Sequence, residues 1–269
     1  MRHVTWAAAW FLVGLAVVLG TASVLEQRSV VAERAVRAAR FPALKIKVGG
    51  PADLETLRAV RAVYGGPLRV DANTGWEPEA GARLVPELVR LGVELIEQAV
   101  VRNPEDQTYG AVDLLARSDT LAKLFPGSVD ASEAVHPAPA LAGADGVPPP
   151  WHYLVVDVKF STLDLSVNGL VSSSHRHYAG QVLVYTAAVA RLQGYCAAEA
   201  YLLGRTWTSS KGRGSGAFDR LGRVLVEREA ARDDAAPLAI EVGRAIEWIR
   251  SVRRDGASWE VLPRPTRPE

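Results

Sequence analysis

The run YLVVDVKF, residues 153–160, holds Asp157 and Lys159 two positions apart in an apolar, valine-rich stretch. Side chains alternate across a strand, so these two charges point to one face. Burying them there is costly unless they pair or bind an ion. Two readings fit: a solvated salt bridge on an edge strand, or a catalytic Asp-x-Lys pair. A second charged set lies upstream. ALKIKVGG puts Lys45 and Lys47 on one face of a strand, LRVDANTG ends a strand with Asp71 and Asn73, and VELIEQ ends the next with Glu97. The carboxy-terminal ends of successive strands are where α/β barrels place their chemistry. Lysine is scarce, with five among 31 basic residues, and Lys45, Lys47 and Lys159 all fall in these motifs.

The elements that must carry these residues can be read from periodicity. Residues 29–40 read as a helix and 43–48 as a strand. PADLETLRAVRAVYGG reads as a helix, LRVDAN as a strand, EPEAGARLVPELVRLG as a helix and VELIEQAV as a strand. Strands alternating with helices mean βα units around a parallel sheet. The rhythm then breaks. RNPEDQTYG is turn material, followed by the strand-like AVDLLARS and a short helix over 118–126. An Ala-, Gly- and Pro-rich insertion leads to the strong strand WHYLVVDVKFSTL. A helix over HRHYAGQVLVYTAAVARLQGY, a strand over AAEAYLLGRTW, a basic loop and a last helix with cations near its end complete the chain. VELIEQAVV and YGAVDLLARS are expected to pair as an antiparallel hairpin across the turn-rich link.

Composition bounds the function classes. With 269 residues, 48% hydrophobic and 23% charged, this is ordinary globular material, and a net charge of +1 announces no nucleic-acid field. The single cysteine, Cys196, excludes an internal disulfide framework and a Cys-cluster zinc site. Residues 4–25 carry no charge and are long enough to cross a bilayer, with Trp6 and Trp10 suited to an interface. The arginines after this run favour an anchor holding the rest of the chain on the cytoplasmic side; a signal peptide or a mis-called start are the competing readings.

The Lys-x-Lys, Asp-x-Asn and Glu-Gln motifs of residues 32–100 resemble the enolase superfamily, in particular its dipeptide epimerases and muconate-lactonising members. The resemblance implies that Lys47 is an acid/base lysine, Lys45 its electrostatic neighbour, and Asp71 and Glu97 two magnesium ligands. The third acidic ligand and the opposing base that such a site needs cannot be placed after Gln98. A barrel takes about 250 residues, so the expectation is a fragment without epimerase activity.

Residues 93–269 resemble the PD-(D/E)XK nucleases of the RecB-like type. The resemblance rests on the order Asp113, Asp157-x-Lys159, Gln181-x-x-x-Tyr185, with Val112 where a proline is usual. It implies a nuclease cutting nucleic acid, DNA in the first instance, with Asp113 and Asp157 holding Mg²⁺ or Mn²⁺. Lys159 would act on the water or the developing charge, Gln181 and Tyr185 would steady the site, and Lys211 and Arg213 would contact phosphates. The expected fold is thus α/β: an apolar helix over 1–28, an enolase-type βα fragment of an incomplete barrel over 29–98, and a mixed-sheet nuclease core over 93–269.

Overall fold

The computed structural model describes residues 24–73, 75–209, 214–226 and 237–259. Helix α1 (Val24–Ala38) precedes two βα units and a third strand: β1 (Leu44–Lys47), α2 (Asp53–Val63), β2 (Leu68–Asp71), α3 (Pro78–Arg90) and β3 (Leu95–Asn103). Then come β4 (Thr108–Arg117), α4 (Ser118–Leu124), α5 (Ala131–Ala134), β5 (Tyr153–Leu165), α6 (Arg176–Gln193), β6 (Glu199–Ser209), β7 (Ser215–Gly216), β8 (Gly222–Leu225) and α7 (Leu238–Asp255). All eight strands join one sheet in the order β1-β2-β3-β4-β5-β6-β7, and β8 also pairs with β6. The pairs β1–β2, β2–β3 and β5–β6 are parallel; β3–β4 and β4–β5 are antiparallel.

Local sequence explains the joints. Pro78 opens α3, where its missing N–H costs nothing, and Glu79 in the first turn favours the helix dipole. Gly194, with φ 68°, closes α6 in the left-handed conformation that glycine takes most readily. Asp53 ties the β1–α2 turn: its carboxylate accepts from the backbone N–H of Gly49 (2.8 Å) and from Trp76 Nε1 (2.9 Å). The expected hairpin is present, with Ala99 opposite Val112 and Asn103 opposite Thr108.

One apolar cluster runs the length of the sheet. It takes Ile46, Leu57, Val70, Leu88 and Ile96 from the βα units, and Leu115, Tyr153, Val155, Val182 and Val189 from β4, β5 and α6. Tyr153 reaches across, donating its hydroxyl to the Val93 carbonyl (2.6 Å). A second cluster covers the opposite face, from Leu95, Ala116 and Leu121 to Leu154, Val156 and Tyr201. The mixed α/β sheet, parallel through its first three strands, fits a barrel-like enolase carboxy-terminal domain in that stretch. After β3 the chain turns back instead of adding a further parallel strand.

Among the described residues no helix is long and apolar enough to cross a membrane. The apolar run 4–25 lies outside the described residues except for Val24 and Leu25. These two open α1. The expected membrane partner and inner-face anchoring are corrected accordingly.

Candidate functional site

The alternation of strands sorts the two charged constellations onto opposite faces of the sheet. Ile46, Val70 and Ile96 point into the main cluster beneath α2 and α3. Lys45, Asp71 and Glu97, one residue away on each strand, therefore point to the other face. Asp71 and Glu97 are register partners, and Lys47 is the partner of Asp71. Conversely, Asp113 has the parity of Leu115, and Asp157 that of Val155 and Tyr153, all in the main cluster. They face α6.

On the first face the Lys45 ammonium sits between the two carboxylates, 3.1 Å from Asp71 Oδ2 and 2.7 Å from Glu97 Oε2. Burial alone would lower the pKa of Lys45; the hydrogen bonds and charges of Glu97 and Asp71 outweigh it and raise the pKa. Lys47 is exposed on the same face. Asn73 serves the backbone: it takes φ 45°, and its N–H donates to Asp71 Oδ1 (2.9 Å), holding that carboxylate in place. Two carboxylate oxygens converging on one cationic atom are the oxygen donors that magnesium takes, together with several waters. They make half a site. Among the described residues no group of three or more His, Cys, Asp or Glu is placed to hold a metal ion.

On the second face the sequence-predicted residues come together, but their polar atoms are taken up by one another. Asp113 accepts from Gln98 Nε2 (3.0 Å) through one oxygen and from the Val158 N–H (2.8 Å) through the other. Asp157, 2% exposed, is ion-paired to Lys159. Lys159 also donates to Gln181 Oε1 (2.8 Å), and Gln181 Nε2 donates to the Tyr185 hydroxyl (2.9 Å). Burial pushes the Asp157 pKa up to about 6; nearby Asp113 adds to the rise and Lys159 opposes it. Of the alternatives open for Asp157 and Lys159, the structure has an internal ion pair, buried instead of solvated at an edge. Lys211 and Arg213 lie outside the described residues.

The sequence pairs Gln98 with Glu97 as a motif, and that pairing hides what Gln98 does. Its backbone is left-handed, with φ 57°. As the next residue of the strand it points away from Glu97, and its side chain donates to Asp113 on the other face. Nothing in a Glu-Gln dipeptide announces a positive φ, which non-glycine residues seldom adopt.

Residues 28–120 match the family model described as enolase C-terminal domain-like. Three curated relatives are similar to parts of the chain. A hydrophobic dipeptide epimerase of Roseobacter litoralis is 44% identical over 78 residues, 26% of this chain and 22% of the relative. A chloromuconate cycloisomerase of Cupriavidus necator is 34% identical over 99 residues, 35% of this chain and 26% of the relative. An L-Ala-D/L-amino acid epimerase of Flavobacterium johnsoniae is 40% identical over 58 residues, 22% of this chain and 17% of the relative. The chain thus spans about a quarter or less of the length of these relatives. No solved structure matches.

These findings overturn the nuclease reading. The relatives are named as epimerases and cycloisomerases of small molecules, not as enzymes of nucleic acid. A physical reason accompanies the correction. A metal held by Asp113 and Asp157 would have to displace an amide and a backbone N–H from Asp113 and an ammonium from Asp157. Nucleic acid is dropped as the partner, and the enolase-type resemblance, the alternative at the sequence level, is the one supported.

Proposed function

We propose that residues 28–120 form a one-sided enolase-type site. It holds a small carboxylate substrate of the dipeptide class and exchanges its α-proton without inverting the carbon. The observation that carries this reading is the convergence of Lys45, Asp71 and Glu97 on one face of three adjacent parallel strands. The match of residues 28–120 to the enolase C-terminal domain-like family and the similarity of the chain to dipeptide epimerases and a cycloisomerase support it.

Asp71 and Glu97 would hold Mg²⁺ or Mn²⁺. When bound, such an ion neutralises the substrate carboxylate and makes the adjacent α-proton more acidic. Lys47 takes that proton and returns it from the same side. Lys45 beside it contributes positive charge toward the substrate carboxylate. Inversion needs a second base on the far side of the planar carbon. In this chain the strand after β3 runs antiparallel, so the parallel strands that would complete a barrel and carry that base do not come next.

The test is incubation of an alanyl dipeptide with the full chain and Mg²⁺ in deuterated water. Deuterium is expected at the α-carbon with configuration retained, and the exchange is expected to vanish in Lys47→Ala. Absence of exchange, or appearance of the opposite configuration, would refute the one-sided site.

A further inference from the structure

Helix α7 places apolar residues at alternating steps of four and three: Leu238, Val242, Ala245, Ile249 and Val252. That spacing draws a narrow seam along one side of a helix, the kind of seam that two helices bury in a coiled coil. The first part of the seam is used within the chain. Leu238 and Val242 pack on the main apolar cluster. The Val242 side chain lies over Gly180 of α6, and Arg176 of α6 pairs with Glu241 (2.6 Å). The second part is left in water: Ile249 is 45% exposed, and Trp248 beside it 51%. No residue of α7 is buried. An apolar seam that continues past its own packing partner is a surface built to meet another.

The sequence next to α7 offers little to cover it. Residues 227–236 read EREAARDDAA, and residues 260–269, EVLPRPTRPE, bring only Val261 and Leu262 as large apolar side chains among their prolines. A second α7 carries the matching seam. Each α7 is fixed to its own body through its first part, so an antiparallel pair lets the two free parts overlap while the bodies stay at opposite ends. It also sets the two helix dipoles head to tail. With the overlap centred near Arg250 and Ser251, Ile249 of one copy meets Val252 of the other.

The charges beside the seam suit this pairing. One flank carries Arg244, Trp248 and Asp255. In an antiparallel two-fold pair a flank meets the same flank of the second copy. Asp255 of one helix therefore comes against Trp248 and Arg244 of the other, twice by symmetry. Arg244 makes no salt bridge among the described residues. Asp255 is paired with its exposed neighbour Arg254, an arrangement that water already weakens. On the other flank Arg253 meets Ile246, over which its aliphatic stem can lie. Arg250, nearest the axis, is off the seam and pairs with Glu247 of its own helix (3.5 Å).

We propose that two copies of this chain associate through the second half of α7, packed antiparallel about a two-fold axis. The overlap is about three helical turns, so the interface lies at the low end of specific contacts, under about 1,200 Å² in total, where association is weak and reversible. It lies away from Lys45, Asp71 and Glu97 and does not depend on the function proposed for them.

The experiment is analytical ultracentrifugation of the full chain over a range of concentrations up to several hundred micromolar. A concentration-dependent rise from the mass of one chain to that of two is expected. Ile249 lies outside both core clusters, so Ile249→Asp keeps the fold, checked by circular dichroism, and is expected to weaken association at least tenfold. Val36→Asp, at an exposed position of α1, is expected to leave it within twofold. Arg244→Asp and Asp255→Arg, each of which opposes like charges at two places, are expected to weaken association about fivefold, and the double variant to restore it. One chain's mass at every concentration, association undiminished in Ile249→Asp, or no recovery in the Arg244→Asp, Asp255→Arg pair would each overturn the proposal.

Discussion

The two faces of the sheet carry the same residue types in the same kind of spacing, yet they are built for different ends. On the Lys45 face one ammonium serves two carboxylates, and its side chain is 34% exposed. The charges there remain open to solvent and to a competing cation. On the other face Asp157 is buried against the Lys159 ammonium, while half-buried Asp113 and Lys159 are engaged by amides and a backbone N–H. An Asp-x-Lys pair therefore cannot be read for chemistry until its remaining lone pairs and protons are accounted for. A carboxylate whose acceptors are engaged holds the fold; one that shares a single mobile ammonium can trade it for another cation.

Mutations should separate the faces most sharply through stability. Asp113→Ala strands the Val158 N–H and the Gln98 amide beside Asp157, and should cost about 2–4 kcal/mol in denaturant unfolding. Asp71→Ala breaks a more open pair and should cost about 1 kcal/mol or less. Comparable losses in both would erase the distinction between the faces.

The pH dependence is a second lever. Asp157 has its pKa raised in the fold from an ordinary value of 3.8 to about 6. The folded state thus holds a proton that the unfolded chain has released between those values. Its contribution is fully present below about pH 4, is lost as pH rises through about 6, and is flat above. The amplitude should be about 1–3 kcal/mol, and Asp157→Asn should abolish this part of the profile. Stability rising over that window through the same residue would reverse the sign and sink the assignment.

A smaller effect is expected at Gly110, where an added methyl must displace the Tyr185 ring. Gly110→Ala should cost about 1–2 kcal/mol, and Gly110→Ala combined with Tyr185→Ala should cost less than the sum of the two single changes. Smallest of all, Arg58→Ala loses only an exposed pair with Glu87 and should change stability by less than about 0.5 kcal/mol.

Much of this architecture is legible in the residues. The βα rhythm through Glu97 and the hairpin joining VELIEQAVV to YGAVDLLARS come from period and turn chemistry, and the structure has both. The gathering of Asp113, Asp157, Lys159, Gln181 and Tyr185 on one face is legible too. What they do is not, because alternation places Gln98 on that face without saying that its amide engages Asp113. The short strand β8, with only GRVL to show for itself, offers too little alternation to read. Continuity is less legible. The rhythm breaks after Glu97, while the sheet and its main apolar cluster run straight through that point. Periodicity reports the local element and is silent on which elements share a core.

Whether cation handling belongs to the Lys45 face can be decided by calorimetric Mg²⁺ titration of the full chain and two variants. Saturable binding is expected, weakened at least tenfold in Asp71→Asn and within about twofold of the parent in Asp157→Asn, since a lost carboxylate ligand costs more than about 1.4 kcal/mol while a change on the far face costs little. Absence of Mg²⁺ binding, or binding lost in Asp157→Asn and kept in Asp71→Asn, would contradict it.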